Sequence, residues 1–146
     1  MTEVLFYHLE RSPLPEVLPS LLERGLARGW QAIVKVGNEA ALEDIDAHLW
    51  TYHDESFLPH GRGDPHEAHP IWLTMGDDLP RTREILFVVE GADLPLEDIS
   101  HLVRIVYLFD AKRAEPAREV WKAVKAQGLE ATYWKQSPQG RWEKAG

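Results

Sequence analysis

The stretch Val103-Arg104-Ile105-Val106-Tyr107-Leu108-Phe109-Asp110-Ala111-Lys112-Arg113-Ala114-Glu115-Pro116-Ala117-Arg118-Glu119-Val120-Trp121 decides the fold. Its first seven residues, Val103 to Phe109, form the strongest strand pattern in the chain, an apolar and β-branched run too short for a helix. From Lys112 the period changes. Ala117, Val120 and Val124 recur at helical spacing, and Gly128 ends the pattern, so a helix is expected over Lys112 to Gln127. Another strand pattern follows at once, Leu129 to Lys135. A strand, a helix and a strand in succession are the unit from which parallel sheets are built.

Outward from this unit the same alternation holds. Val4 to Leu9 reads as a buried first strand, and the prolines at 13, 15 and 19 place a helix start between Leu14 and Pro19. Val17, Leu21, Leu22 and Leu26 make its apolar face, and Gly29 stops it. Trp30 to Val36 is the second strand. Asn38 suits the N-cap of a helix in which Leu42, Ile45 and Leu49 recur. Ile71 to Met75 and Ile85 to Val89 are further strands, and Asp98 to His101 is a short helix or turn. Ser137-Pro138-Gln139-Gly140 turns the last strand into a hairpin with Arg141 to Lys144. The expected fold is α/β: one domain over residues 1–146 with a largely parallel sheet covered on both faces. Residues 61–69, polar and turn-rich, are expected to be a mobile loop, and 136–146 a C-terminal hairpin or tail.

Composition limits the chemistry. The chain has 146 residues, and none of its apolar runs reaches the roughly 20 residues that cross a bilayer. Met1-Thr2-Glu3 lacks the basic start of a secretory signal, and a cytoplasmic protein is expected. With no cysteine, disulfides, thiolate catalysis and cysteine zinc sites are all removed. A formal charge of −8 argues against a broad nucleic-acid-binding surface, because such affinity comes from Lys and Arg displacing counterions; a local basic patch is compatible with it.

The turns after the first two strands, Glu10-Arg11-Ser12-Pro13 and Gly37-Asn38-Glu39, lack the glycines with which a backbone wraps a phosphate. No nucleotide-binding loop is expected, and a nucleotide-binding regulator is the weakest of the rival readings. Among the serines, Ser12, Ser20, Ser56, Ser100 and Ser137, none sits in a Gly-x-Ser-x-Gly setting. Five of the seven histidines, His48, His53, His60, His66 and His69, fall within 22 residues together with Asp54, Glu55, Asp64 and Glu67. The residue types suit a metal, and a metal-dependent hydrolase built on 48–69 is the alternative function. The spacing lacks an i, i+4 helical pair, and solvated loop histidines are the plainer interpretation.

Two surfaces stand out. Leu49-Trp50 and Ser56-Phe57-Leu58-Pro59-His60 carry large apolar side chains into an expected loop, where they mark either a closed sheet edge or a contact site. On the late helix Arg118, Trp121, Lys122 and Lys125 fall at i, i+3, i+4 and i+7, opposite the apolar stripe. A tryptophan among three cations suits a ligand that offers a carboxylate and an aromatic or apolar side chain together; a solvated helix face is the plain alternative.

The Leu49-Trp50 … Ser56-Phe57-Leu58-Pro59-His60 combination resembles the chi subunit family of bacterial DNA polymerase III holoenzyme. The opening Phe6-Tyr7 strand, the Arg28-Gly29-Trp30 helix exit, Ala117-Arg118-Glu119-x-aromatic-Lys122 and the closing Tyr133-Trp134 are similar too. The resemblance implies a three-layer Rossmann-like domain that has lost nucleotide binding, with no catalytic residues and no cofactor. It implies a bridge from the clamp loader, through the psi subunit, to the acidic C-terminal tail of single-stranded-DNA-binding protein, with DNA met only indirectly. That tail ends in an aromatic residue with a free carboxylate. By the resemblance Arg118, Trp121, Lys122 and Lys125, with Leu108 and Phe109, would take the tail. Trp50, Phe57, Leu58, Pro59 and His60 would take psi or an alternative helicase-like partner. The chain departs from the family pattern at Ala114-Glu115-Pro116, where the family is often more basic and Lys112 and Arg113 stand as substitutes. It also has Trp at 121 in place of Tyr.

Overall fold

The computed structural model describes residues 2–10, 14–51, 60–61, 70–76, 79, 81–94, 99–139 and 141–145, with backbone alone at 50, 51, 60 and 61. In chain order they form β1 (Glu3–Leu9), α1 (Leu14–Ala27), β2 (Ala32–Val36), α2 (Glu39–Thr51), β3 (His60–Gly61), β4 (Ile71–Thr74), β5 (Ile85–Val89) and β6 (Arg104–Asp110). A 3-10 turn (Ala111–Arg113) leads into α3 (Ala114–Ala126), and β7 (Glu130–Gln136) and β8 (Trp142–Lys144) close the chain. The strands make one eight-stranded sheet in the order β3-β4-β2-β5-β6-β1-β7-β8. All pairings are parallel except the β7–β8 hairpin. The α/β reading with a largely parallel sheet stands.

Side chains alternate across this sheet, so β1, β2, β4, β5 and β6 each feed two cores. Leu14, Leu18 and Leu22 of α1 and Leu42, Ile45 and Leu49 of α2 pack on Val34, Phe87, Val106 and Leu108. On the opposite face Ala117 and Val124 of α3, with Ala92, Ile99 and Leu102 from the β5–β6 connection, pack on Phe6, Leu86, Ile105 and Phe109. The three layers follow from the crossovers: α1 and α2 carry the chain toward the β3 edge on one face, and α3 carries it toward β8 on the other. Fully buried side chains such as Phe6 and Phe87 each contribute about 1.5–3 kcal/mol through burial.

The helix ends are where the sequence signals are most literal. Asn38 Oδ1 accepts from the Ala41 amide at 2.8 Å, the N-cap expected for α2. At the end of α1, Gly29 adopts φ +83°, its amide reaches the Leu26 carbonyl, and the Trp30 amide reaches that of Gly25. At the end of α3, Gly128 at φ +77° does the same: its amide bonds Lys125 O, and the Leu129 amide bonds Val124 O. Both are Schellman caps, and both need a residue that tolerates the left-handed region.

Several boundaries differ from expectation. Trp30 belongs to the cap of α1, and β2 begins at Ala32. The helix expected from Lys112 opens with the 3-10 turn, because Asp110 Oδ1 accepts from the Lys112 amide at 3.0 Å and tightens the chain there. Residues 100–101 are a turn. Residues 62–69, nearly all of the expected mobile loop, lie outside the described residues. The second turn named for its missing glycine motif is filled by backbone: a Cβ on Gly37 would meet the Glu90 carbonyl oxygen at 2.2 Å. That glycine serves close packing of the β2 and β5 exits, where Glu90 itself sits at φ +52°.

Candidate functional site

The α3 face is built on a helix held at both ends, by Asp110 through the 3-10 turn and by the Gly128 cap. Ala117 and Val124 are buried and Val120 packs beside them, so the apolar stripe points at the sheet as expected. Arg118, Lys122 and Lys125 are exposed on the outer side. Trp121 lies at the border. Its ring meets Phe6 edge-on at 5.2 Å and Tyr133 at 6.0 Å, and Lys125 Nζ sits 5.2 Å from its centroid. The tryptophan is therefore half a core residue and half a cation–π partner, not the fully outward residue that its spacing opposite the apolar stripe implied.

Beneath it runs an aromatic network. Phe109 stacks on His8 at 4.8 Å and lies 6.0 Å from Tyr133, whose hydroxyl is 3.0 Å from His8 Nδ1. Burial raises the Tyr133 phenol above its ordinary pKa, Glu10 adds to the rise, and the Arg118 guanidinium opposes it. Arg118 thus acts electrostatically on Tyr133, and the phenol stays protonated at neutral pH. Tyr133 and His8 are the residues that a reading of the helix alone misses. They enter because β1 and β7 are register neighbours.

Leu108 is the correction. It was expected beside Phe109 in the same pocket, yet it is buried in the α1/α2 core while Phe109 faces α3. Adjacent strand residues project to opposite faces, so one of the two had to be lost from the site. Arg118 and Lys122 line a shallow depression of about 450 Å³ together with Glu115, Pro116 and Glu119. The two acids there balance the two cations, and Lys122 pairs with Glu119 at 3.5 Å in full view of solvent. An exposed pair of this kind is held weakly and yields to a better anion.

For the other surface the structure describes only its frame. Leu49 is buried, Trp50 lies in the last turn of α2, and His60 pairs with Ile71 in the edge strand β3. Phe57, Leu58 and Pro59 lie outside the described residues, as do His53, His66 and His69 of the alternative metal site. Among the described residues no group of three or more His, Asp or Glu could hold a metal, and no helix is long and apolar enough to cross a membrane.

Comparison with known proteins gives the geometry its setting. The sequence profile described as DNA polymerase III chi subunit, HolC, matches residues 1–132. The chain is similar to the DNA polymerase III subunit chi of Pseudomonas aeruginosa, 28% identical over 89 residues, which are 59% of this chain and 63% of that protein. It is also similar to the probable DNA polymerase III subunit chi of Rickettsia prowazekii, 25% identical over 154 residues, covering 99% of this chain and 92% of that protein. The match to the Pseudomonas protein thus spans under two thirds of its length. The family is one of accessory polymerase subunits without catalysis of their own. The profile covers most of the chain, including all of β6 and α3 and the first residues of β7, and the chain belongs to the DNA polymerase III chi subunit family.

Proposed function

We propose that this chain is a non-catalytic bridging subunit of the replicative polymerase, working in the cytoplasm as one domain. Its α3 face takes the acidic C-terminal tail of single-stranded-DNA-binding protein. Its 50–60 segment takes psi or a helicase-like partner. The observation that carries the first half is the pairing of Lys125 with the half-buried Trp121 ring beside exposed Arg118 and Lys122. A free carboxylate has cations to meet there, and an aromatic terminal side chain has the rim of the Trp121–Phe109–Tyr133 network to pack on.

Titration of a fluorescent acidic peptide ending in phenylalanine with a free carboxylate tests this reading. Arg118→Ala and Lys122→Ala should each weaken binding roughly tenfold, the effect of losing a charge-assisted hydrogen bond of about 1.5 kcal/mol. Binding should fall with added salt, since exposed charges are screened over about 8–10 Å. Equal affinity in wild type and both variants would sink the assignment. For the second surface, Trp50→Ala or Phe57→Ala should abolish copurification with psi while circular dichroism stays unchanged.

A further inference from the structure

The helices leave part of the sheet bare. On the α1 side, α1 and α2 close over β2, β4, β5 and the Val106 and Leu108 positions of β6, whereas Leu5 and Tyr7 of β1 and Thr132 and Trp134 of β7 are only half-buried there. The result is a trough of about 430 Å³. Its floor is Leu5 and Tyr7 of β1 with Thr132 and Trp134 of β7; one wall is the last turn of α1, and the other is Trp142 and Lys144 of β8.

Its chemistry is unlike that of the rest of this acidic molecule. Arg24, Arg28, Arg104 and Lys144 line it against one acid, Glu3, which pairs with Arg104. Glu130, the register neighbour of Glu3, stands outside the lining. The Arg28 and Arg104 guanidinia flank the ring of Trp30 at 5.1 and 5.2 Å. Tyr7 and Trp134 are register partners with near-parallel rings, 16° between planes and 6.3 Å between centroids, and Trp142 meets Tyr7 edge-on at 4.9 Å. The Trp134 indole N–H is buried and makes no hydrogen bond among the described residues.

We propose that this trough is a binding site for a short run of single-stranded nucleic acid. Bases stack on Tyr7, Trp134 and Trp142, and phosphates meet Arg24, Arg28 and Lys144. Stacking on aromatic rings within a positively charged groove is the general basis of single-strand binding. A sheet face bearing aromatics on neighbouring strands is one established platform for it. An extended acidic peptide matches the charge but not the floor. The backbone of β1 is paired on both sides by β6 and β7, and that of β7 by β1 and, from Trp134 to Gln136, by β8, so the floor at Leu5, Tyr7 and Trp134 offers a peptide no main-chain partners. Nucleic acid needs none.

Fluorescence anisotropy with a labelled oligothymidylate of about 10 nucleotides, at low salt, tests the proposal. The wild-type chain should bind it with quenching of tryptophan emission. Arg24→Glu with Arg28→Glu, both exposed, should weaken binding at least about tenfold and lower its dependence on salt. Lys144→Glu, on a separate element, should act in the same direction and serves if the double variant misfolds by circular dichroism. Arg118→Ala with Lys122→Ala should leave oligonucleotide binding intact, which keeps this site separable from the tail-binding face. Absence of binding, or binding that the trough variants leave unchanged, overturns the proposal. So does full displacement of the oligonucleotide by an acidic peptide whose own binding depends on Arg24 and Arg28; that outcome makes the trough a peptide site.

Discussion

Leu108 and Phe109 are consecutive in β6 and belong to different cores: Leu108 packs among the α1 and α2 side chains, Phe109 under α3. Both are 3% exposed, so burial does not distinguish them. What distinguishes them is the layer each one supports. Leu108→Ala should cost about 2–5 kcal/mol and Phe109→Ala about 3–5 kcal/mol in urea unfolding. Only the second should also weaken the tail peptide for the folded fraction, because only Phe109 touches Tyr133 and His8. Loss of peptide affinity in Leu108→Ala at full folding would place the pocket elsewhere.

The tyrosines set an alkaline limit. Burial raises the phenols of Tyr7, Tyr107 and Tyr133, with arginines opposing the rise in each case: Arg104 and Arg24 at Tyr7, Arg113 at Tyr107, Arg118 at Tyr133. A folded pKa above the unfolded value of about 10 means the native state holds its proton more tightly. The stabilisation is complete below pH about 10 and is lost as pH climbs through the folded values. Urea midpoints should therefore fall from pH about 10 upward, and Tyr107→Phe should flatten that fall. A midpoint flat to pH about 11 would contradict it.

Two glycines should fail for different reasons. Gly37→Ala drives a Cβ to 2.2 Å from the Glu90 carbonyl oxygen, a clash with backbone that must be relieved by moving the β5 exit. Gly29→Ala meets no atom within 4 Å and carries only the left-handed cost of φ +83°, about 1–2 kcal/mol. Thermal unfolding should rank Gly37→Ala as the more damaging. Equal losses would mean that the two exits separate more easily than their packing implies.

The α2 cap gives a small, clean prediction. Asn38→Ala removes the acceptor of the Ala41 amide and should cost about 1 kcal/mol, while Asn38→Asp should cost little. Chemical denaturation of the three proteins side by side measures it.

Much of this fold was legible because its signals are local. Asn38, Gly29 and Gly128 act on the chain within a few residues, and period 2 or 3.6 needs only a short window. The Arg118/Lys122/Lys125 face was legible for the same reason, since one helix carries it. The half-buried state of Trp121 was not, because it depends on Phe6 and Tyr133 arriving from β1 and β7. Leu108 was misassigned because sequence gives the alternation of faces but not which face the next helix covers.

By itself the sequence determined most of the elements, the Asn38, Gly29 and Gly128 caps, the absence of cysteine chemistry and the family's motifs. Only the tertiary structure decided where charge and aromatic surface from separate elements collect. Arg24, Arg28, Arg104 and Lys144 are scattered over the chain and diluted in a net charge of −8, yet they converge on one trough with Tyr7, Trp134 and Trp142. The physical reason is that a composition is an average over the whole surface, whereas a ligand meets a local field and a local floor. Strand order sets both here: inserting β1 between β6 and β7 brings residues more than a hundred positions apart to adjacent strands.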